Sequence, residues 1–404
     1  MTLLRPHDSA YRYEPTRGLA LWDADELTAV TEVVANRSPF RYDGPALLRR
    51  TESFERDFAE FLDVPHAVGV SSGTAALTAA LVGLGTPPGA EVIIPSATFI
   101  GCVNAVAAAG AIPVFAEIDD SLTLDPEGWE QLITDRTFAV MPVHLANAAA
   151  DMAPILRIAR QHGIRVLEDA AQACGVRYAG RAVGTIGDAG AFSFQLEKNI
   201  TAGEGGAVVT SDPVVYDRVL RYQDQGGQFM TSRGGTRGPD SEAPFLGVNL
   251  RMTEIAGSLL GVQLRRLEAM LARLRDIARE VRQSLADLPL AWRPLHDEAG
   301  SGGDVTLLLE SRLAARQFNL ELAARRIPSG TLYNGRLVQQ NPAVKAARAA
   351  WGAQRQGSER QRRSETTLGR SVTVALGAAM TDEDVTCLIS AIRESFLALR
   401  ALGG

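Results

Sequence analysis

The chain has 404 residues, a net charge of −6 and an ordinary globular balance of 46% hydrophobic and 22% charged residues. That length accommodates two or three domains, and the acidic balance argues against nonspecific nucleic-acid binding. Cys102, Cys174 and Cys387 show no metal-ligand spacing and leave an odd thiol, so the expected setting is a reducing cytoplasm with no bound metal.

Residues 1–25 are irregular and contain prolines, which reads as an arm lying on another part of the molecule. Arg5, His7 and Asp8 interrupt any apolar leader, and no run approaches the ~20 apolar residues that span a bilayer, so no membrane contact is expected. From about residue 45 to 210, helical patterns alternate with short apolar β-branched runs. The runs 66–70, 91–95, 112–118, 138–144, 164–167, 189–194 and 207–210 read as strands, and 75–83 and 152–162 as helices between them. That alternation predicts an α/β fold with a mostly parallel seven-stranded sheet covered on both faces. A Gly- and Ser-rich loop over 226–242 precedes one long amphipathic helical pattern from Met252 to about Leu288, striped by Ile255, Leu259, Val262, Leu267 and Leu271. The expected division is an arm (1–25), a large domain (26–285) and a smaller α+β domain (286–404). Within the last, 354–363 reads as a mobile surface loop and Thr381 caps the final helix.

Lys198 is one of only two lysines in a chain that otherwise uses arginine. A lysine amine can be tuned to lose its proton and act as a nucleophile, which arginine cannot do. The other residues that could work with it stand at strand ends, where such sheets place their ligands. Ser71-Ser72-Gly73-Thr74-Ala75 follows the strand at 66–70 and opens a helix, a turn whose N–H groups can hold a phosphate. Phe99, after the next strand, can stack on an aromatic ring. Asp169, after the strand at 164–167, can pair with a protonated pyridine nitrogen, and Gln172 can reach a ring oxygen. Ser193 adds a hydroxyl for the phosphate. Each signal has a bland reading: a helix cap for Ser72 or Asp169, a core position for Phe99. Their order along the chain points to a pyridoxal 5′-phosphate site. His66, His144 and His162 read as structural, Cys174 as packing, and Arg251 as either an interface or a substrate group.

Together, Ser-Gly-Thr-Ala-Ala-Leu (72–77), Glu-Asp-Ala-Ala-Gln-Ala (168–173), Phe-Ser-Phe with Lys198, Gly-Glu-Gly-Gly (203–206) and Asn-Leu-Arg-Met-Thr-Glu (249–254) resemble the DegT/DnrJ/EryC1/StrS aminotransferases. The resemblance is strong over residues 20–290 and weak beyond. It implies a fold-type I pyridoxal phosphate transferase that passes an amino group from glutamate or glutamine to a keto sugar or keto-cyclitol. It assigns catalysis to Lys198 and Asp169, and cofactor binding to Gly73, Thr74, Ala75, Phe99, Gln172 and Ser193 as well. It also implies that Asn249, lying beyond the 226–242 loop and expected off the sheet edge that carries Ser193, reaches the phosphate of the opposite subunit in a homodimer with shared sites. The family's dehydratase branch carries histidine where Lys198 stands, which favours transamination over dehydration, elimination or cyclisation. One departure is Leu145-Ala146-Asn147, where the family often has a glycine turn. A non-catalytic regulator would need a basic DNA-binding module, and none is legible.

Overall fold

The computed structural model describes residues 11–227, 229, 246–348, 351 and 361–403. Seven strands form the main sheet: β1 (His66–Val70), β2 (Glu91–Pro95), β3 (Ile112–Ala116), β4 (Thr137–Val140), β5 (Arg165–Asp169), β6 (Ala189–Ser193) and β7 (Gly206–Thr210). Their order across the sheet is β1-β7-β6-β5-β4-β2-β3. Only β7 runs against its neighbours, so the carboxyl ends of β1, β2, β5 and β6 share one edge.

Strand side chains alternate between faces, and here both faces are buried. On β2, Val92 and Ile94 join one apolar cluster while Ile93 joins the other. On β6, Ala191 and Phe192 divide in the same way. Phe192 and Phe194 meet Phe58 edge-on at 5.1 and 5.6 Å, so aromatic packing fixes the layer behind the site. Helix α1 (Gly73–Gly83) covers the opposite face. Nearly all its residues are buried, which explains an Ala/Leu composition without a polar stripe.

The long pattern from 252 to 288 is two helices, not one: α2 (Glu254–Leu264) and α3 (Leu267–Ser284). The ladder breaks at Arg265–Arg266, where the Arg266 guanidinium donates to Leu21 O at 2.6 Å and pairs with Asp23, Asp25 and Glu26. α2 is buried nearly all round, whereas α3 carries the amphipathic stripe.

The C-terminal part holds a second sheet of β8 (Thr306–Leu308), β9 (Ser329–Gly330) and β10 (Ser371–Val374), in the order β8-β10-β9 and antiparallel throughout. Its last helix (Asp382–Gly403) is opened by Thr381, whose Oγ1 accepts from Asp384 N while the Asp384 carboxylate accepts from Thr381 N. The arm docks here: Arg12 N donates to Arg326 O, Tyr13 Oη to Ala375 O, and Ala378 N to Thr16 O. Most of the 226–242 loop and most of 354–363 lie outside the described residues. Among the described residues no helix is long and apolar enough to cross a membrane.

Candidate active site

At the shared carboxyl edge lies a cavity of about 640 Å³, a size suited to a cofactor or drug-sized ligand. Its lining includes Gly73, Thr74, Phe99, Asp169, Gln172, Ser193 and Lys198, so residues that end or follow four strands, β1, β2, β5 and β6, converge on one space.

The phosphate-type end is built by α1. Ser72 Oγ caps the helix by accepting from Ala75 N at 3.1 Å. Among the described residues no protein acceptor takes the Gly73 or Thr74 N–H, the pair that faces the lining. A Cβ on Gly73 would come within 2.7 Å of Ser193 Cβ, so only glycine lets the helix N-terminus and Ser193 share this corner. Ala75 departs from the expectation: its N–H is spent on the cap, and its side chain is buried outside the lining.

Phe99 is 59% exposed although it stands in the lining, an apolar ring face left open inside a cavity. Asp169 ends β5 and is 4% exposed. Its Oδ1 accepts from Ala171 N at 3.0 Å and its Oδ2 from Cys102 Sγ at 2.9 Å. Thr98 Oγ1 lies 2.9 Å from the same sulfur, and burial together with Asp169 pushes the Cys102 thiol well above the ordinary range, so it stays protonated and donates. Gln172 donates from Nε2 to Tyr333 Oη at 2.9 Å. Lys198 is largely buried, and that desolvation lowers its ammonium pKa against the opposing pull of Asp169.

This arrangement fits pyridoxal phosphate: an N–H cradle with a serine hydroxyl, an open aromatic face, a held carboxylate and a buried lysine surround one cavity.

Residues 22–393 match the model of the DegT/DnrJ/EryC1/StrS aminotransferase family. The chain belongs to that family. It is 39% identical over 240 residues to a GDP-perosamine synthase of Vibrio cholerae, covering 59% of this chain and 63% of that protein. It is 42% identical over 248 residues to a dTDP-3-amino-3,4,6-trideoxy-alpha-D-glucose transaminase of Streptomyces venezuelae, covering 61% and 62%. These matches therefore span less than two thirds of each relative. The crystal structure of S. venezuelae DesV in complex with a ketimine intermediate superposes with a TM-score of 0.79 at 34% identity, covering 92% of this chain and 94% of that one.

The family's expected asparagine behaves differently from the rest. Asn249 is exposed and absent from the lining. Its segment nevertheless runs along the sheet edge: Ser71 N donates to Leu250 O at 2.8 Å and Arg251 bridges Val70, which corrects the expectation that it lies off that edge. Arg251 itself pairs with buried Asp224 at 2.8 Å and stacks on Phe40 and Phe229, a partnership within the chain. At the departure Leu145-Ala146-Asn147, Ala146 and Asn147 take φ of 50° and 60°, a left-handed turn made without glycine.

The lining also includes residues that the sequence does not mark as site residues, among them Arg17, Cys102, Asn199 and Tyr333. Tyr333 and Asn334 adopt φ of 52° and 55° ahead of Gly335, a tight left-handed turn that carries the phenol into the cavity. The Tyr333-Asn334-Gly335 motif was the available signal. For Arg17 and Cys102 no local pattern existed.

Proposed function

We propose that the protein is a pyridoxal phosphate-dependent aminotransferase that moves an amino group from glutamate or glutamine to a keto sugar carried on a nucleoside diphosphate, in amino-sugar biosynthesis. The observation that carries this reading is the meeting of Lys198 with Asp169, Gln172, Phe99 and the Gly73–Thr74–Ser193 cradle in one cavity. The relatives' names supply the nucleotide-linked amino sugar.

Gly73, Thr74 and Ser193 would hold the phosphate, Phe99 would cover the ring, Gln172 would meet its oxygen and Asp169 its nitrogen. When bound, the cofactor supplies an aldehyde for amino exchange and an electron-withdrawing ring. The chain's own contribution is proton handling and orientation. The Lys198 amine, its pKa lowered by burial, would take a proton from the donor's α-carbon and, in the second half of the cycle, give one to the sugar carbon that receives the nitrogen. Cys102 and the Ala171 N–H hold the Asp169 carboxylate in place so that it needs no reorganisation during turnover. In the full cycle an amino acid leaves as its keto acid and a keto sugar leaves as an amino sugar, so nitrogen and electrons balance between the two halves.

Asn249, exposed beside the cavity edge, suits a role toward a second subunit, and we extend the proposal to a homodimer with shared sites. The decisive experiment loads the purified protein with pyridoxal phosphate and offers glutamate, glutamine and a panel of nucleotide-linked keto sugars. Keto acid and amino sugar formed in equal amounts support the reading. A loaded protein that produces neither from any pair sinks it.

A further inference from the structure

Arg17 is the only arginine in the cavity lining, and Lys198 the only lysine, among the described residues. Arg17 reaches the cavity from the arm, remote in sequence from the strand ends that supply most of the other functional groups. Its guanidinium donates from Nη1 to Asn199 Oδ1 at 3.2 Å, and the terminal amide of Asn147 lies within 3.2 Å of both its outer nitrogens. Those partners are neutral amides. Among the described residues no carboxylate lies within ion-pair distance of it, and Asp304, the acid that acts on it through space, is engaged with Arg293 and Thr306. Burial accordingly lowers the Arg17 pKa to about 10, the mark of a cation with no adequate counter-charge.

Its position selects the missing anion. Gly18 N donates to Lys198 O at 3.3 Å, so the arm runs directly beside the lysine's backbone, and Arg17 in turn depresses the Lys198 ammonium. Asn147 N donates to Gln172 O, which places the Arg17 cluster on the Gln172 side of the cavity. The phosphate cradle at Gly73, Thr74 and Ser193 has its own N–H donors and helix dipole and needs no arginine. An amino acid exchanging its nitrogen at Lys198 carries its α-carboxylate on the very carbon that bears the nitrogen. A nucleotide diphosphate would instead stand a whole sugar ring away. Guanidinium and carboxylate also match in planar, two-pronged geometry.

We propose that Arg17, held by Asn147 and Asn199, is the receptor for the α-carboxylate of the amino donor. The inference rests on the aminotransferase reading and adds the subsite that reads the first substrate. It assigns the arm a direct part in donor recognition.

The test compares L-glutamate with isoglutamine, its α-amide, in wild type, Arg17→Gln and Arg17→Lys, all loaded with pyridoxal phosphate. Fading of the cofactor's visible band gives the half-saturating concentration of each donor. Calorimetric binding of 2-oxoglutarate to the same loaded proteins gives a readout that needs no turnover. Loss of a charge-assisted carboxylate contact should raise the glutamate half-saturation and weaken 2-oxoglutarate binding on the order of 10- to 100-fold in Arg17→Gln. Isoglutamine should change little, the keto-sugar half-saturation should hold, and Arg17→Lys should recover part of the loss. An unaltered visible band before donor addition shows that the variants remain folded and loaded. Arg17→Gln that still prefers glutamate over isoglutamine as strongly as wild type overturns the proposal. So does a defect confined to the keto sugar, which would assign Arg17 to the diphosphate. A wild type that takes nitrogen from no amino acid defeats the aminotransferase reading itself, and the calorimetry then still decides whether Arg17 binds a carboxylate.

Discussion

Glu168 and Asp169 are consecutive carboxylates at the end of β5, and they face opposite sides of the sheet. Behind the sheet, Glu168 is completely buried and has two donors on each oxygen: His144 Nε2 and Gly184 N on Oε2, Ile186 N and Gly187 N on Oε1. Because His144 Nδ1 accepts from Ala150 N, the ring proton sits on Nε2 and points at the carboxylate. In front, Asp169 has one donor on each oxygen and borders the cavity. A carboxylate accepts about four hydrogen bonds when fully satisfied. The saturated one is a structural clamp on the 184–187 turn, and the half-satisfied one retains capacity for a ligand.

The comparison can be broken most severely at the cavity. Asp169→Asn should cut turnover by orders of magnitude while the protein still folds and binds cofactor, because a neutral amide no longer stabilises a protonated ring nitrogen. Steady-state kinetics beside a melting curve would check this, and near-wild-type turnover would reduce Asp169 to an acceptor that holds the turn at Ala171, where no helix begins. Glu168→Gln should do the reverse. Its amide N–H₂ would confront buried donors, costing about 3 kcal/mol of stability, with the fraction that remains folded still turning over. Chemical denaturation would read it, and an unchanged midpoint would show that the clamp carries no strain.

A finer cut concerns the thiol that holds Asp169. Cys102→Ala should lower turnover by roughly tenfold through a looser Asp169, and Cys102→Ser, which keeps a donor, should restore most of it. Equal rates for the two variants would make Cys102 mere packing. The smallest effect belongs to Lys198 in the cofactor-free protein. Its pKa is lower in the folded chain than unfolded, so the folded state binds fewer protons and stability rises with pH between the folded value and the ordinary lysine value. Lys198→Met should therefore melt higher than the cofactor-free wild type near neutral pH, with the gap closing as pH climbs through that window. A gap that is constant with pH would assign it to packing.

The seven strands were legible because each is a local apolar run bounded by turn residues, and the candidate groups expected at their ends, Gly73, Thr74, Phe99, Asp169, Gln172, Ser193 and Lys198, all line one cavity. What failed to show was set by distant partners. The break between α2 and α3 depends on Arg266 meeting residues 21–26, and no periodicity in 252–288 encodes that meeting. Ala75 looked like part of the cradle because the turn is continuous in sequence, yet the Ser72 cap claims its N–H. Arg17, Cys102 and Tyr333 come from three remote segments. Each is an ordinary residue in its own neighbourhood and acquires meaning only where the chain crosses itself.

The arm carries a consequence for how the protein is made. Residues 12–18 leave the ribosome long before their berth of Arg326, Ala375, Gly377 and Ala378 is made. A Cβ at Gly377 would collide with the Glu14 carbonyl, so the fit is close and cannot form before both strands of chain exist. The large sheet can assemble while synthesis continues, since domains fold as units from the N-terminal side. Thr16, the neighbour of Arg17, cannot be anchored until translation has passed residue 378. The arm therefore waits on chain made much later than itself, and the cavity that Arg17 lines is unfinished until the two meet.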